Sequence, residues 1–226
     1  MAMTGGPGTP TEASGRSVSD SSLEGYPHEM EGDVEVADEL SVHVRPIRSD
    51  DDARLVAFHA KLSERSVYRR YFFMHPRLSA DEVSHLTHVD YIERLALVAE
   101  VGGELVAIGR YDRLPGSDEA EVAFVVADEY QHQGIGSMLL ERLAAAAWGN
   151  GIRILVAQTL RDNRAMLDVF LGSGFPVTST SEYDTVRVRF PIEPTESYLG
   201  TVASRHQSPV AGGQTATAED PGPRPR

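Results

Sequence analysis

The chain contains no cysteine. That excludes disulfides, thiolate nucleophiles and Cys-built zinc or iron–sulfur sites, and it is compatible with a reducing cytoplasm, where we expect the protein to act. Lysine is almost as scarce: Lys61 is the only one, and the remaining 20 of the 21 basic residues are arginine. A Walker-type phosphate loop, which requires a lysine after its glycine, is therefore excluded in the glycine-rich region described below. No uninterrupted apolar run reaches the roughly 18 residues of a membrane-spanning helix, and the N-terminus lacks the basic cap and apolar stretch of a secretory signal. Hence no membrane association is expected.

What is present has the balance of a folded protein. Of 226 residues, 41% are apolar and 24% charged, close to ordinary globular values. The net charge of −13 is unevenly distributed. Residues 1–40 carry nine acids against one base, residues 195–226 carry three of each, and residues 41–194 carry 22 acids against 17 bases. A central region with net negative charge is poorly suited to a phosphate backbone, so nucleic acid is not an expected partner. The first 40 residues are rich in Gly, Pro, Ser, Thr and acid, and read as a disordered tail. Residues 195–226 read the same way. Residues 41–194 remain for one domain, long enough for a core without covalent staples.

Within that domain the pattern alternates between the two structural periods. Val42–Ile47 reads as a strand, and Ser49 followed by three aspartates as a helix start. A second helix is expected over Ser66–Phe73. Ser79-Ala-Asp-Glu82 forms a capping box that opens a third. Two strand-like runs, Arg94–Val101 and Glu104–Arg113, flank the hairpin signal Gly102-Gly103, and a further strand covers Glu119–Ala127. A helix from Gly134 to Gly149, a strand at Ile152–Gln158, a helix capped by Asp162 or Asn163 and ending near Leu171, and two closing strands complete the order. The implied fold is α/β, with a mixed sheet that is not doubly wound.

The stretch richest in chemistry runs from Val122 through Gln131-His-Gln-Gly134-Ile-Gly136-Ser137. An apolar strand enters a short polar turn, and two glycines open a helix. Helix N-termini present unpaired N–H groups and a positive dipole end, and glycine lets a phosphate approach the backbone. The arrangement suits a pyrophosphate. It is not a dinucleotide fingerprint, because Leu139 stands where the third glycine would be.

Gln131-x-x-Gly134-x-Gly136 resembles the acyl-CoA signature of the GNAT acetyltransferase superfamily, and Asn163…Gly174-Phe175 matches its second motif. Together with the order of elements, the resemblance covers about residues 41–190. More narrowly, residues 63–72 and 120–127 look like the bacterial protein lysine acetyltransferases that modify acyl-CoA synthetases. The regulatory or synthetase-like domain those relatives often carry is not expected within these 226 residues. The resemblance implies a GNAT-type, mostly antiparallel sheet of six to seven strands flanked by helices, with acetyl-CoA as acyl donor. It also implies that the backbone from His132 to Ser137, including Gln133 and Ile135, holds the pyrophosphate. Phe124, Val125 and Val126 would pair with the pantetheine arm, and Asn163 would bind the same arm.

For amine attack on a thioester, a base is needed. Strand alternation places Glu119, Glu121, Ala123 and Val125 on one face. Glu121 lies among apolar neighbours, where desolvation would raise its pKa, and the resemblance puts the catalytic glutamate there; Glu119 is the alternative. The tyrosine that often serves this family as general acid falls at Phe170, which has no proton to give, leaving Tyr130, Ser137 or water. The acceptor implied is a protein lysine. A small-molecule amine and a non-catalytic acyl-CoA sensor are the competing readings. Arg65, Arg69 and Arg70, at helical spacing, are candidates to grip an acidic protein or the cofactor's 3′-phosphate, or to form a solvated basic face. His85-x-x-His88 has no nearby carboxylate at ligand spacing and reads as surface or capping groups, so no metal site is expected.

Overall fold

A computed structural model describes residues 25–37, 40–75 and 77–206. Eight strands form one sheet in the order β1-β2-β3-β4-β5-β6-β8-β7. They are β1 (Gly32–Glu35), β2 (Ser41–Pro46), β3 (Arg94–Val101), β4 (Glu104–Arg113), β5 (Glu119–Val126), β6 (Ile154–Leu160), β7 (Thr178–Glu182) and β8 (Thr185–Pro191). All neighbours are antiparallel except β5 and β6. The helices are α1 (Asp52–Lys61), α2 (Glu64–Tyr71), α3 (Ala80–Thr87), α4 (Ile135–Gly149), α5 (Arg164–Leu171) and α6 (Glu196–His206). Among the described residues no helix is long and apolar enough to cross a membrane.

The mixed α/β order is as expected, but the sheet has eight strands rather than six or seven. The extra strand is β1, inside the segment read as a tail. It pairs with β2 through Val34↔Val42 and packs Val34 and Val36 on the core. Its neighbour Tyr26 is buried, with its hydroxyl donating to Glu31 at 2.8 Å. A strand whose adhesion is mainly backbone hydrogen bonding leaves little apolar periodicity to find. The other expected tail also supplies structure. Tyr198 of α6 stacks on Phe175 with ring centroids 4.2 Å apart, and Phe175 stacks on Phe190 of β8. The remaining residues of both expected tails, 1–24, 38–39 and 207–226, lie outside the described residues.

Two apolar layers sandwich the sheet. One face packs Leu95, Leu97, Val122 and Phe124 against Leu139, Leu140 and Leu143 of α4, with Phe170 of α5 in the same cluster. The other packs Ala96, Val98, Ile108 and Val125 against Leu55 and Phe58 of α1 and Val83 of α3. Period-2 alternation in the central strands feeds both layers, so these strands read as nearly continuous apolar runs. Ser63 caps α2 by accepting from the Ser66 amide, and the capping box expected at Ser79 and Glu82 forms. Helix α2 starts two residues earlier than the pattern suggested, because Ser63 competes successfully for the N-cap.

A charged cluster ties β2 and β3 to the start of α1. Arg45 and Asp51, 4% and 2% exposed, pair through two 2.7 Å contacts, and Arg45 also reaches Glu100 at 2.7 Å. Arg54 bridges Asp51 and Glu100 from the rim.

Candidate active site

Strands β5 and β6 run parallel for only three paired positions, Glu119↔Ile154, Ala120↔Leu155 and Glu121↔Val156. Beyond Glu121 they part: β5 continues to Val126 along β4, while β6 continues to Leu160 along β8. Backbone groups of a strand point alternately to its two sides, so the inner edge of β5 past Glu121 faces a gap in place of a neighbour. This splay opens a cavity of about 390 Å³. It is lined by the inner ends of β5 and β6, the loop and first turn of α4, residues of α5, and Ser66, Arg69, Arg70 and Phe72 of the α2 region.

At the loop, the expected strand–turn–helix handover is present. Residues Asp128–Tyr130 make one 3₁₀ turn, His132 and Gly134 have positive φ (65° and 84°), and α4 begins at Ile135. The left-handed turn at Gly134 points successive amides to one side. None of the amides from His132 to Ser137 donates to a backbone carbonyl among the described residues; the first that does is Met138, bonded to Gly134 O at 3.0 Å. His132, Gly134, Ile135, Gly136 and Ser137 all line the cavity. Gly136 stands close to α5: a Cβ there would meet Val169 Cγ2 at 3.4 Å. These donors have the geometry to hold a diphosphate, and they add the positive end of a 15-residue helix to it.

The side chains of Gln131 and Gln133 have other tasks. Gln131 Nε2 donates to Ser66 Oγ and to Val126 O, both at 3.0 Å, and Gln131 lines the cavity. Gln133 donates to Glu129 O at 3.1 Å and is not among the lining residues, so within the expected set it stands apart. Asp128 accepts from the Ser63 amide, Ser63 Oγ and Ser66 Oγ at 3.0, 2.6 and 2.8 Å. These bonds outweigh the effect of its partial burial and hold its carboxyl below the usual carboxylate range. Together Asp128 and Gln131 clasp α2 to the loop.

Phe124, Val125 and Val126 all line the cavity, as does Asn163 at the far wall. Asn163 also caps α5, accepting from the Met166 amide at 3.4 Å, which accounts for its 7% exposure. The sequence reading did not single out Thr159. Its Oγ1 is buried on the cavity wall and has no hydrogen-bond partner among the described residues. A threonine inside an apolar strand reads as a good strand former, and only the splay of β6 from β5 reveals that this one lines a cavity.

Glu121 lines the cavity, and the expected face holds: Glu119, Glu121 and Ala123 are the less buried positions of β5, alternating with Ala120, Val122 and Phe124 in the core. The burial expected of Glu121 does not hold. It is exposed, because its apolar sequence neighbours point to the opposite face. No ion pair or hydrogen bond engages it among the described residues, although it stands within electrostatic reach of Arg70. Glu119 is half-buried, pairs with Arg189 at 2.8 Å and does not line the cavity. Of the two carboxylates, only Glu121 offers a free oxygen to the cavity. Phe170 also reaches it, but is 1% exposed and packs between Phe124 and Phe190, so its role is structural. Tyr130 and Ser137 both line the cavity. His85 contacts Arg94 and Asp112, and His88 ends α3 beside Thr87.

The sequence profile of the acetyltransferase (GNAT) family matches residues 64–175. An acetyltransferase of Pseudomonas aeruginosa is 33% identical over 153 residues, covering 65% of this chain and 82% of its own. The acetyltransferase Pat of Mycolicibacterium smegmatis is 33% identical over 127 residues, 55% of this chain and 38% of its own. Among solved structures, the GNAT domain of S. lividans PAT is 42% identical with a TM-score of 0.70, covering 74% of this chain and 99% of that one. The splayed strands, the amide-rich helix start and these similarities agree, and the chain belongs to the acetyltransferase (GNAT) family.

Proposed function

We propose that this protein transfers the acetyl group of acetyl-CoA to the side-chain amine of a protein lysine by direct attack within a ternary complex. The observation that carries this reading is the placement of one unpaired carboxylate, Glu121, where β5 and β6 separate, on the same cavity as the free amides of residues 132–137. The amides would take the cofactor's diphosphate, the inner edge of β5 at residues 124–126 its pantetheine arm, and Asn163 and Thr159 polar groups on the opposite side. Glu121 would accept the amine proton, directly or through a water, as nitrogen attacks the thioester carbonyl. An amide of β5 near Val125 would polarise that carbonyl. The departing CoA thiolate then takes a proton from Tyr130, Ser137 or water.

Similarity to Pat of M. smegmatis and to the S. lividans PAT domain supports an acetyltransferase of the subgroup the sequence resembles, and the chain spans 38% of the former and all but 1% of the latter. Incubation with radiolabelled acetyl-CoA and an acyl-CoA synthetase should label the synthetase on lysine. Turnover of free amines such as spermidine, without labelling of any protein, would replace this acceptor with a small molecule.

Substitution at the loop tests the donor half. Gly134→Val puts a β-branched residue at φ 84°, which costs on the order of 1–3 kcal/mol in that conformation or forces the amides to re-aim. Calorimetric titration should show acetyl-CoA affinity reduced at least about tenfold, a 1.4 kcal/mol effect, while the circular dichroism spectrum persists. Undiminished affinity would remove the loop from the cofactor site.

A further inference from the structure

The acceptor side of the cavity is ringed by guanidinium groups that the fold leaves underused. Arg70 of α2 is half-buried, lines the cavity, and makes no hydrogen bond or ion pair among the described residues; its nearest counterpart is the ring of Tyr71, 5.1 Å from its Cζ. Burial and the neighbouring Arg110 both work against its positive charge. Arg69 gives one hydrogen bond, to Asp162 O at 3.3 Å, and its Nε is buried without a partner. Arg110 pairs with Asp112, and its Nε is also buried and unsatisfied. Buried donors of this kind are costly unless something fills them.

The surface beside them is open. Residues directly opposite one another in paired strands project to the same face. The register Glu121↔Val156↔Arg189↔Thr178 therefore continues the face of Glu121 across β6, β8 and β7, and the next row is Gln158↔Arg187↔Thr180. Gln158, Arg187, Arg189 and every residue of β7 are exposed. At about 4.8 Å per strand, Arg189 stands roughly 10 Å from Glu121. The Arg187 guanidinium has no hydrogen bond or ion pair among the described residues. The carboxylates of this face are few: Glu121 itself, Glu119 engaged by Arg189, Asp112 engaged by Arg110, and Glu182 at the outer edge. In a chain of net charge −13, this is a local excess of unpaired positive charge beside Glu121; Asp168 of α5 is the other carboxylate that lines the cavity, from its opposite wall.

We infer that this face receives a polypeptide segment in which the target lysine is flanked by aspartate or glutamate, with Arg70 and Arg69 taking a carboxylate close to the lysine and Arg187 one further along. The inference rests on the protein-lysine reading above and narrows its substrate class. A guanidinium binds a carboxylate through two parallel hydrogen bonds, which fixes position as well as charge. An exposed face three strands wide exceeds what a free amine would contact. Recognition here would orient the lysine amine toward Glu121 and the thioester.

The test uses the full chain, acetyl-CoA and twelve-residue peptides with one central lysine, flanked by glutamate, glutamine or arginine. Wild type is expected to favour the glutamate peptide over the glutamine peptide by about tenfold in kcat/KM, mostly through KM. Arg70→Gln should collapse that ratio toward one. Arg187→Glu, at an exposed position that cannot disturb the core, should shift preference toward the arginine-flanked peptide. Acetyl-CoA titration verifies that both variants are folded. Equal use of all three peptides by wild type, or an equal loss on all three in the variants, overturns the inference while leaving lysine acetylation standing. Acetylation of spermidine with no peptide modified overturns both.

Discussion

Glu121→Gln is expected to lower kcat by about 10²–10⁴-fold while acetyl-CoA affinity stays within a factor of two, the range over which a positioned general base contributes. Glutamine keeps the size and the hydrogen-bonding oxygen but cannot take a proton. The substitution is on an exposed position that no ion pair or hydrogen bond engages among the described residues, so it should not unfold the protein. Stopped assays of CoA release, with binding measured in parallel, separate chemistry from affinity. Glu119→Gln is the contrast: its carboxylate is already occupied by Arg189 outside the cavity, so turnover should change far less. If Glu121→Gln leaves turnover intact, the base lies elsewhere; a wild type that binds acetyl-CoA yet releases no CoA with any amine would be a sensor of acyl-CoA.

A second large effect is expected on stability. Asp51→Asn leaves Arg45, 4% exposed, with Glu100 as its remaining carboxylate partner and removes the carboxylate that also accepts the Arg48 amide at 2.8 Å. Breaking one side of a buried pair typically costs 3–5 kcal/mol, which in a domain of this size lowers Tm on the order of 10 °C. The pH dependence carries a sign. Burial alone would raise the Asp51 pKa, but hydrogen bonds from Arg45 and the Arg48 amide outweigh it and place the folded value below the ordinary one near about 3.9. The resulting stabilisation is present above that ordinary value and disappears as pH falls through the lower folded one. Acid unfolding of wild type should thus be steeper below about pH 4 than that of Asp51→Asn. Matching slopes would show that another carboxylate governs the transition.

Local rules made most of the domain legible in advance. The capping box at Ser79, the N-cap at Asn163, the hairpin at Gly102-Gly103 and the glycines of the loop each involve residues a few positions apart, and the chain honours them. What local rules could not show were features settled by distant partners. The strand at Gly32–Glu35 exists because β2 presents an edge to it, and α6 because Phe175 and Phe190 present a stacking surface to Tyr198. Burial of Glu121 was inferred from its neighbours in sequence, whereas alternation turns those neighbours away from it. Thr159 became visible as part of the site once β5 and β6 were seen to part, since the parting is a property of two strands and of neither alone.

The clasp formed by Ser63, Ser66, Asp128 and Gln131 fastens the helix bearing Arg69 and Arg70 to the turn that leads into the amide-rich loop. On the proposed binding mode, donor and acceptor would be received by parts of a single bracket. If steadying one end with the donor steadies the other, then by reciprocity a docked acceptor should raise the affinity for the donor by the same factor. Four polar side chains, none assigned a chemical step, would then link the filling of one half of the cavity to the filling of the other.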